Sequence, residues 1–240
     1  MESVYNLGIV FVKGYYHTNR PKMMTGLRTE FHCHTLYSSD SLTHPADLIA
    51  ACRARGLDRV VVTDHNTIIG AVAAQRLAPE LVIIGEEIKT TRGEILAAFV
   101  REEVPPYLSP QEAIRRLRDQ GAFISLSHPF DPLRENWMCP ELEEILPLID
   151  AIEIFNSRCL WPGANRRARE FAREYNLPGT AGSDAHAAFE LGRAVVLLPQ
   201  FEGPEGLRQV IRQAKFEMRR SPFGAHFASR YASLRKKIRV

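Results

Sequence analysis

The chain has 240 residues, of which 45% are hydrophobic and 25% charged. That composition is ordinary for a globular protein with one large core, and it excludes disordered, collagenous and disulfide-scaffold classes. The net charge of +3 belongs to the end of the chain. There Lys215, Arg219, Arg220, Arg230, Arg235, Lys236, Lys237 and Arg239 stand against one acid, Glu217, and the body before them is mildly acidic.

Residues 1–26 show no strong element signal and read as an N-terminal extension. They lack the charged start and small-residue cleavage site of a signal peptide. The first strand is "LRTEFHCH", where alternation puts His32 and His34 on one face and Cys33 on the other. "PADLIAACRARG" is a helix, with Pro45 suited to its first position and Gly56 to its stop. "RVVVTDH" is a strand ending at His65, whose neighbour Asp64 points elsewhere and suits an orienting role. "ELVIIGEE" is a strand ending near Glu87, with Glu86 on its other face, and "EILAAFV" is the next strand.

Ser109, Pro110 and Glu112 open a helix in "SPQEAIRRLRDQG". "AFISLSHP" is a strand ending at His128, and "LIDAIEIFN" one ending near Asn156. "NRRAREFAREYN" is a helix, "PGTAGSDAH" a strand ending near Asp184, "GRAVVLLP" the last strand and "EGLRQVIRQAKF" the last helix. Alternating strands and helices predict a mainly parallel sheet, closed into a barrel or left open. The domain is expected over residues 27–214, followed by a solvated basic tail over 215–240.

Cys33, Cys52, Cys139 and Cys159 have neither C-x-x-C spacing nor disulfide density, which favours a reducing compartment. No run of about eighteen apolar residues occurs, so no transmembrane helix is expected. A cytoplasmic protein is the resulting expectation.

His32, His34, His65, Glu87, His128, Asp184 and His186 all fall where predicted strands end. In a parallel barrel those ends share the face that carries the active site. Five of the eight histidines would then meet in one pocket. So many unpaired polar groups would destabilise an apolar core, whereas imidazoles and carboxylates together suit zinc, manganese or iron.

The ordered segments "FHCHT", "SSD", "TDHNT", "GEEIKT", "LSHPF" and "GSDAH" resemble the motifs of the polymerase and histidinol phosphatase (PHP) family, over about Leu27 to Pro199. The resemblance implies a distorted (β/α)7 TIM-like barrel holding two or three divalent metal ions (Mn, Zn or Fe). It implies that His32, His34, Glu87 and Asp184 bind one metal and that Asp40, His65 and His186 bind a second. Glu87 would bridge to a third, which also takes His128. Family members often supply a further histidine after the bridging glutamate, and here "TRGEIL" offers Glu94 instead. Asp40, His65, Glu87 and His186 would form the catalytic set.

Such an ion cluster can activate water for in-line attack and neutralise phosphoryl oxygens. The leading expectation is therefore a phosphoesterase acting on a small phosphorylated metabolite or nucleotide. Arg158 and, more weakly, Arg134 are the expected substrate-binding cations. Trp137 and Trp161 are candidates for a stacking wall or lid. Two other readings stay open: a nuclease or nucleic-acid-processing factor, suggested by the basic tail, and a non-catalytic metal-binding regulator. The sequence does not specify the oligomeric state.

Overall fold

The structure, a computed structural model, describes residues 26–134, 137 and 139–238. The extension read over 1–26 therefore lies outside the described residues, Gly26 excepted. Among the described residues nine strands form one sheet in the spatial order β7-β6-β5-β4-β3-β2-β1-β8-β9. They are β1 (Leu27–Glu30), β2 (Arg59–Val62), β3 (Val82–Lys89), β4 (Glu94–Ala98), β5 (Phe123–Leu126), β6 (Ala151–Asn156), β7 (Gly179–Gly182), β8 (Ala194–Leu198) and β9 (Lys215–Met218).

Strands β1, β2 and β3 are parallel, as are β5, β6 and β7. Between them β4 runs antiparallel to both neighbours. Its reversal follows from a connection too short for a crossover: Thr90 N–H donates to Gly93 O at 2.9 Å, closing a tight turn. Beyond β1 the chain continues as an isolated parallel bridge from Cys33 to Ala185, just after β7. His34 N–H donates to Ala185 O at 2.8 Å. That link nearly closes strands β1 to β7 into a distorted barrel, while β8 and β9 extend the sheet outside it, antiparallel.

Strand alternation sorts the core. Phe31, Val61, Ala98, Phe123, Phe155 and Ala181 belong to the cluster inside the barrel. Val60 and Val62 face outward against Leu48 and Cys52 of α1 (Pro45–Ala54) and Ala71 and Ala74 of α2 (Ile69–Leu77). Ile95, Ile124 and Ile152 pack against α3 (Pro110–Asp119), α4 (Cys139–Ile145) and α5 (Pro162–Glu174). The start signals read for α1 and α3 are used: Pro45 and Pro110 sit in the first turns, and Ser109 Oγ accepts from Glu112 N–H at 3.2 Å. Helix α2 escaped the pattern reading because Ala and Gly dominate its buried face, and α4 is only seven residues long.

The segment read as a basic tail contains β9, paired with β8, and α7 (Gly224–Ile238), which follow α6 (Gly203–Val210). The boundary drawn at residue 214 thus falls immediately before a strand of the sheet. Among the described residues no helix is long and apolar enough to cross a membrane.

Barrel closure demands a small residue at the end of β7. A Cβ on Gly182 would lie 2.2 Å from the His32 Cβ and 2.7 Å from Glu153 Oε1. Gly182→Ala should therefore cost on the order of 1–3 kcal/mol, the usual penalty for forcing extra volume into a packed site. Urea unfolding measures it; an unchanged midpoint would show that the strands can separate freely.

Candidate metal centre

The strand-end residues are delivered to one end of the barrel by several different strands. His32 and His34 lie on the extended chain after β1, Glu87 is in β3, and His65 forms an isolated parallel bridge with Glu87. His128 follows β5, and Asp184 and His186 follow β7. Glu94 begins β4; because that strand runs backwards, its start lies at the same end as the finish of β3, opposite Lys89. The backbone φ is +23° at His128 and +51° at Asp184, sparsely populated values of the kind that functional sites maintain.

Glu87 sits at the middle of the cluster. Its Oε2 lies 3.2 Å from His32 Nε2, 3.1 Å from His65 Nδ1 and 3.5 Å from His34 Nε2. Its Oε1 lies 3.2 Å from His128 Nε2, which is itself 3.4 Å from Glu94 Oε2. Asp184 Oδ1 is 3.1 Å from His34 Nε2, and Asp40 Oδ2 is 2.9 Å from His186 Nε2. Asp40 Oδ1 is 3.6 Å from His65 Nε2. Three sets have their donor atoms within 4.8 Å of one another: His32, His34 and Asp184; His34, His65 and His186; and Glu87, Glu94 and His128.

The donor set fits divalent cations. Glu87 Oε2, Asp40 Oδ1 and His186 Nε2 are buried yet have no hydrogen-bond partner, although each lies near opposite polar groups. Orphaned buried atoms are costly, and a mixed imidazole–carboxylate cluster is the ligand chemistry of zinc, manganese or iron.

Electrostatics bind the cluster together. Burial opposes charge on Glu87, but the imidazoles of His32 and His65 hold its carboxyl well below the usual range. Burial also works against the charged form of His32, yet Glu87, Asp184 and Glu153 raise it well above its ordinary value. His34 shifts the other way, lowered by burial and by neighbouring His186 and His65.

A second ring of carboxylates holds the imidazoles, and the sequence reading missed most of it. Glu153 of β6 reaches His32 Nδ1 at 3.0 Å and accepts from His128 N–H at 2.8 Å. Glu30 accepts from the backbone N–H groups of Ser183, His32 and Gly192; burial pushes its carboxyl up to about 7, opposed by the Ser183 bonds. Asp64, read as an orienting residue, accepts from Thr35 N–H at 2.6 Å and Ser38 Oγ at 2.7 Å, and Ser38 Oγ in turn contacts His34 Nδ1 at 3.1 Å. The available signal for Glu30 and Glu153 was a carboxylate inside an otherwise apolar strand.

The remaining candidates divide. Arg134 enters the site, with Nη2 3.0 Å from Asp184 Oδ2. Arg158 is 5% exposed and donates from Nη2 to Ser229 Oγ at 2.7 Å. Both arginines, with Asp40 and His186, line a cavity of about 430 Å³. Trp137 is buried, and Trp161 is exposed; both line a different groove, with Phe130 and Pro132. Cys33 faces away from the histidines as expected, its thiol donating to Val61 O at 3.4 Å.

A nearly closed α/β barrel brings imidazoles and carboxylates together at one end, in groups that could hold metal ions. A family model described as "PHP domain" matches residues 30–144, and another described as "PHP-associated" matches 162–216. Two uncharacterized proteins of Methanocaldococcus jannaschii are similar. MJ1587 is 35% identical over 146 residues, covering 55% of this chain and 82% of its own length. MJ0417 is 33% identical over 187 residues, covering 75% of each. The chain belongs to the PHP family.

Among solved structures, a two-domain protein of Bacteroides vulgatus, described as containing a predicted PHP-like metal-dependent phosphoesterase, superposes with a TM-score of 0.65 at 21% identity. The match covers 81% of this chain and 65% of that one, so this chain spans just under two thirds of the neighbour's length.

Glu153 acts through His32 and His128 rather than from the centre of the cluster. Glu153→Gln should weaken metal binding by about 10–100-fold, the usual cost of removing an outer-layer partner of a ligating histidine. Metal titration, with circular dichroism as the folding control, checks it. Unchanged affinity would show that the imidazoles orient themselves without this carboxylate.

Proposed function

We propose that this protein is a metal-dependent phosphoesterase hydrolysing a phosphate ester of a small metabolite or nucleotide. The observation that carries the proposal is the packing of buried imidazoles and carboxylates around Glu87, with atoms of Glu87, Asp40 and His186 that lack hydrogen bonds, together with a cavity bordered by Asp40, His186 and two arginines.

In this reading His32, His34, Glu87 and Asp184 hold one ion, and Asp40, His65 and His186 hold a second. Glu87 also reaches a third position, completed by His128 and Glu94. The geometric sets group His32, His34 and Asp184, His65 and His186 with His34, and Glu87 with Glu94 and His128. Glu87 joins the first through its 3.2 Å contact with His32, and Asp40 the second through its 2.9 Å contact with His186. Glu94 supports the third, since its carboxylate stands 3.4 Å from His128. Bound divalent ions supply an activated water at neutral pH and neutralise charge on the phosphoryl oxygens.

The protein's own residues do the positioning. Glu87 fixes the spacing between sites through its two oxygens. Glu153, Asp64 and Ser38 hold the imidazole rings in place. Asp40 and His65 lie on the open side, with side chains 25% and 17% exposed, where a substrate would arrive. Arg134 flanks that approach and suits phosphoryl oxygens as a planar donor, and Arg158 lines the same cavity.

Purified protein should hold about two to three equivalents of Mn, Zn or Fe, and chelation should abolish hydrolysis of an aryl phosphate. Less than about half an equivalent after reconstitution would sink the proposal. A screen that includes a single-stranded oligonucleotide separates a small-molecule phosphatase from a nuclease.

Glu87→Gln should lower turnover at least about a hundredfold, the scale of lost catalytic geometry. Glu94→Gln should fall between that and wild type, and Glu94→His should retain activity. Metal stoichiometry and turnover on all three variants make the comparison. Full activity and full metal in Glu87→Gln would refute the bridging assignment.

A further inference from the structure

Helix α7 lies beyond the residues that either family model matches, yet it is fastened to the metal-binding end of the barrel. Ser221 N–H donates to Ser157 O at 2.9 Å ahead of the helix. Arg158 Nη2 donates to Ala225 O and Ser229 Oγ. Near its end Lys236 Nζ donates to Leu36 O at 2.5 Å and to Ser38 O, in the loop that carries Asp40. Ala225 and Ala232 are buried beneath it.

That anchoring fixes the rotation of the helix. Residues 225, 229, 232 and 236 turn to the barrel, so 226, 230, 233 and 237 share the adjacent face. His226, Arg230, Ser233 and Lys237 all line the 430 Å³ cavity, across from Asp40, His186 and Arg158. The volume is that of a small-molecule site.

Arg158 adds a buried positive charge to the wall of the cavity. It is 5% exposed, and its Nε and Nη1 have no hydrogen-bond partner. Glu190 Oε2 stands 3.7 Å from Nε in a buried ion pair that lacks a hydrogen bond. Among the described residues no carboxylate forms an ion pair with Arg230 or Lys237. Arg134 is engaged more closely, by Asp184 at 3.0 Å. Buried guanidinium donors are costly unless satisfied, and the planar fork of arginine suits a carboxylate or phosphate.

We propose that Arg158, Arg230 and Lys237 form an anion subsite beside the metal centre, which binds a carboxylate or phosphate of the substrate other than the group hydrolysed. The preferred substrate is then a small phosphate ester carrying a second negative group. This rests on the phosphoesterase reading and assigns α7 the role of selecting among phosphate esters.

The test uses the metal-loaded full chain, with phenyl phosphate and 4-carboxyphenyl phosphate as substrates and calorimetric titration with pyrophosphate. Wild type should favour the carboxylated ester in kcat/KM. The Arg230→Ala/Lys237→Ala double variant should lose about tenfold or more of that preference, mainly through KM, and bind pyrophosphate about tenfold more weakly, as expected on removing charge-assisted bonds. Arg235→Ala, a charge of the same helix that does not line the cavity, controls for general electrostatics and should match wild type.

Carboxylate preference without a pyrophosphate effect would identify carboxylate as the second group, and the reverse would identify phosphate. A double variant indistinguishable from wild type in both measurements, or an equal loss in Arg235→Ala, would overturn the subsite. If wild type hydrolyses neither ester, the phosphoesterase reading fails, and the pyrophosphate titration still decides the subsite.

Discussion

A carboxylate at 1% exposure, with imidazoles around both its oxygens, is the constraint that organises this end of the molecule. Removing the Glu87 charge from water is expensive, and such a group persists only where opposite charge or strong donors compensate it. Glu87 has Ser127 Oγ at 2.6 Å from one oxygen and no hydrogen-bond partner on the other. The surrounding imidazoles serve both sides only if they are held in place. The rest of the site does that: β3 presents the carboxylate, strand ends from around the barrel bring the rings, and Glu153 and Asp64 hold them from behind. The backward strand β4 is part of the same solution, because only a tight hairpin after β3 puts Glu94 beside His128.

Much of this was legible in the sequence because it depends on local period. His32 and His34 share a face through strand alternation. "TDH", "GEE", "LSH" and "GSDAH" each place a chemical side chain where an apolar run ends. The position of a strand's end is a local property, and the barrel turns it into convergence. Glu30 and Glu153 were not legible, because a buried carboxylate inside a strand looks like a polar interruption until its partners across the barrel are known. The direction of β4 was likewise set by turn length rather than by pattern.

The end of the chain was misjudged for a different reason. Its charges suggested a solvated tail, and Phe223, Phe227, Tyr231 and Leu234 are indeed exposed, so its composition resembles no conventional amphipathic helix. What fixes α7 is a few specific bonds, from Arg158, Ser221 and Lys236, to partners about 64 to 200 positions away in the sequence. Such long-range polar anchors leave no periodic trace. Arg158, expected at the cavity rim, lines the cavity and also links barrel and helix from a buried position. Family membership thus accounts for the end rich in histidine and carboxylate, and the residues that border the cavity from α7 lie outside the stretches that the family models match.

The central claim is that the histidines and carboxylates converge in order to hold metal ions. Anomalous diffraction from crystals of metal-reconstituted protein tests it most directly. Strong peaks should appear within about 2.0–2.3 Å of the imidazole nitrogens and carboxylate oxygens around Glu87, the normal range for such ligands. A loaded crystal with no peak in this cluster, or with peaks only at surface histidines such as His44, would contradict the account.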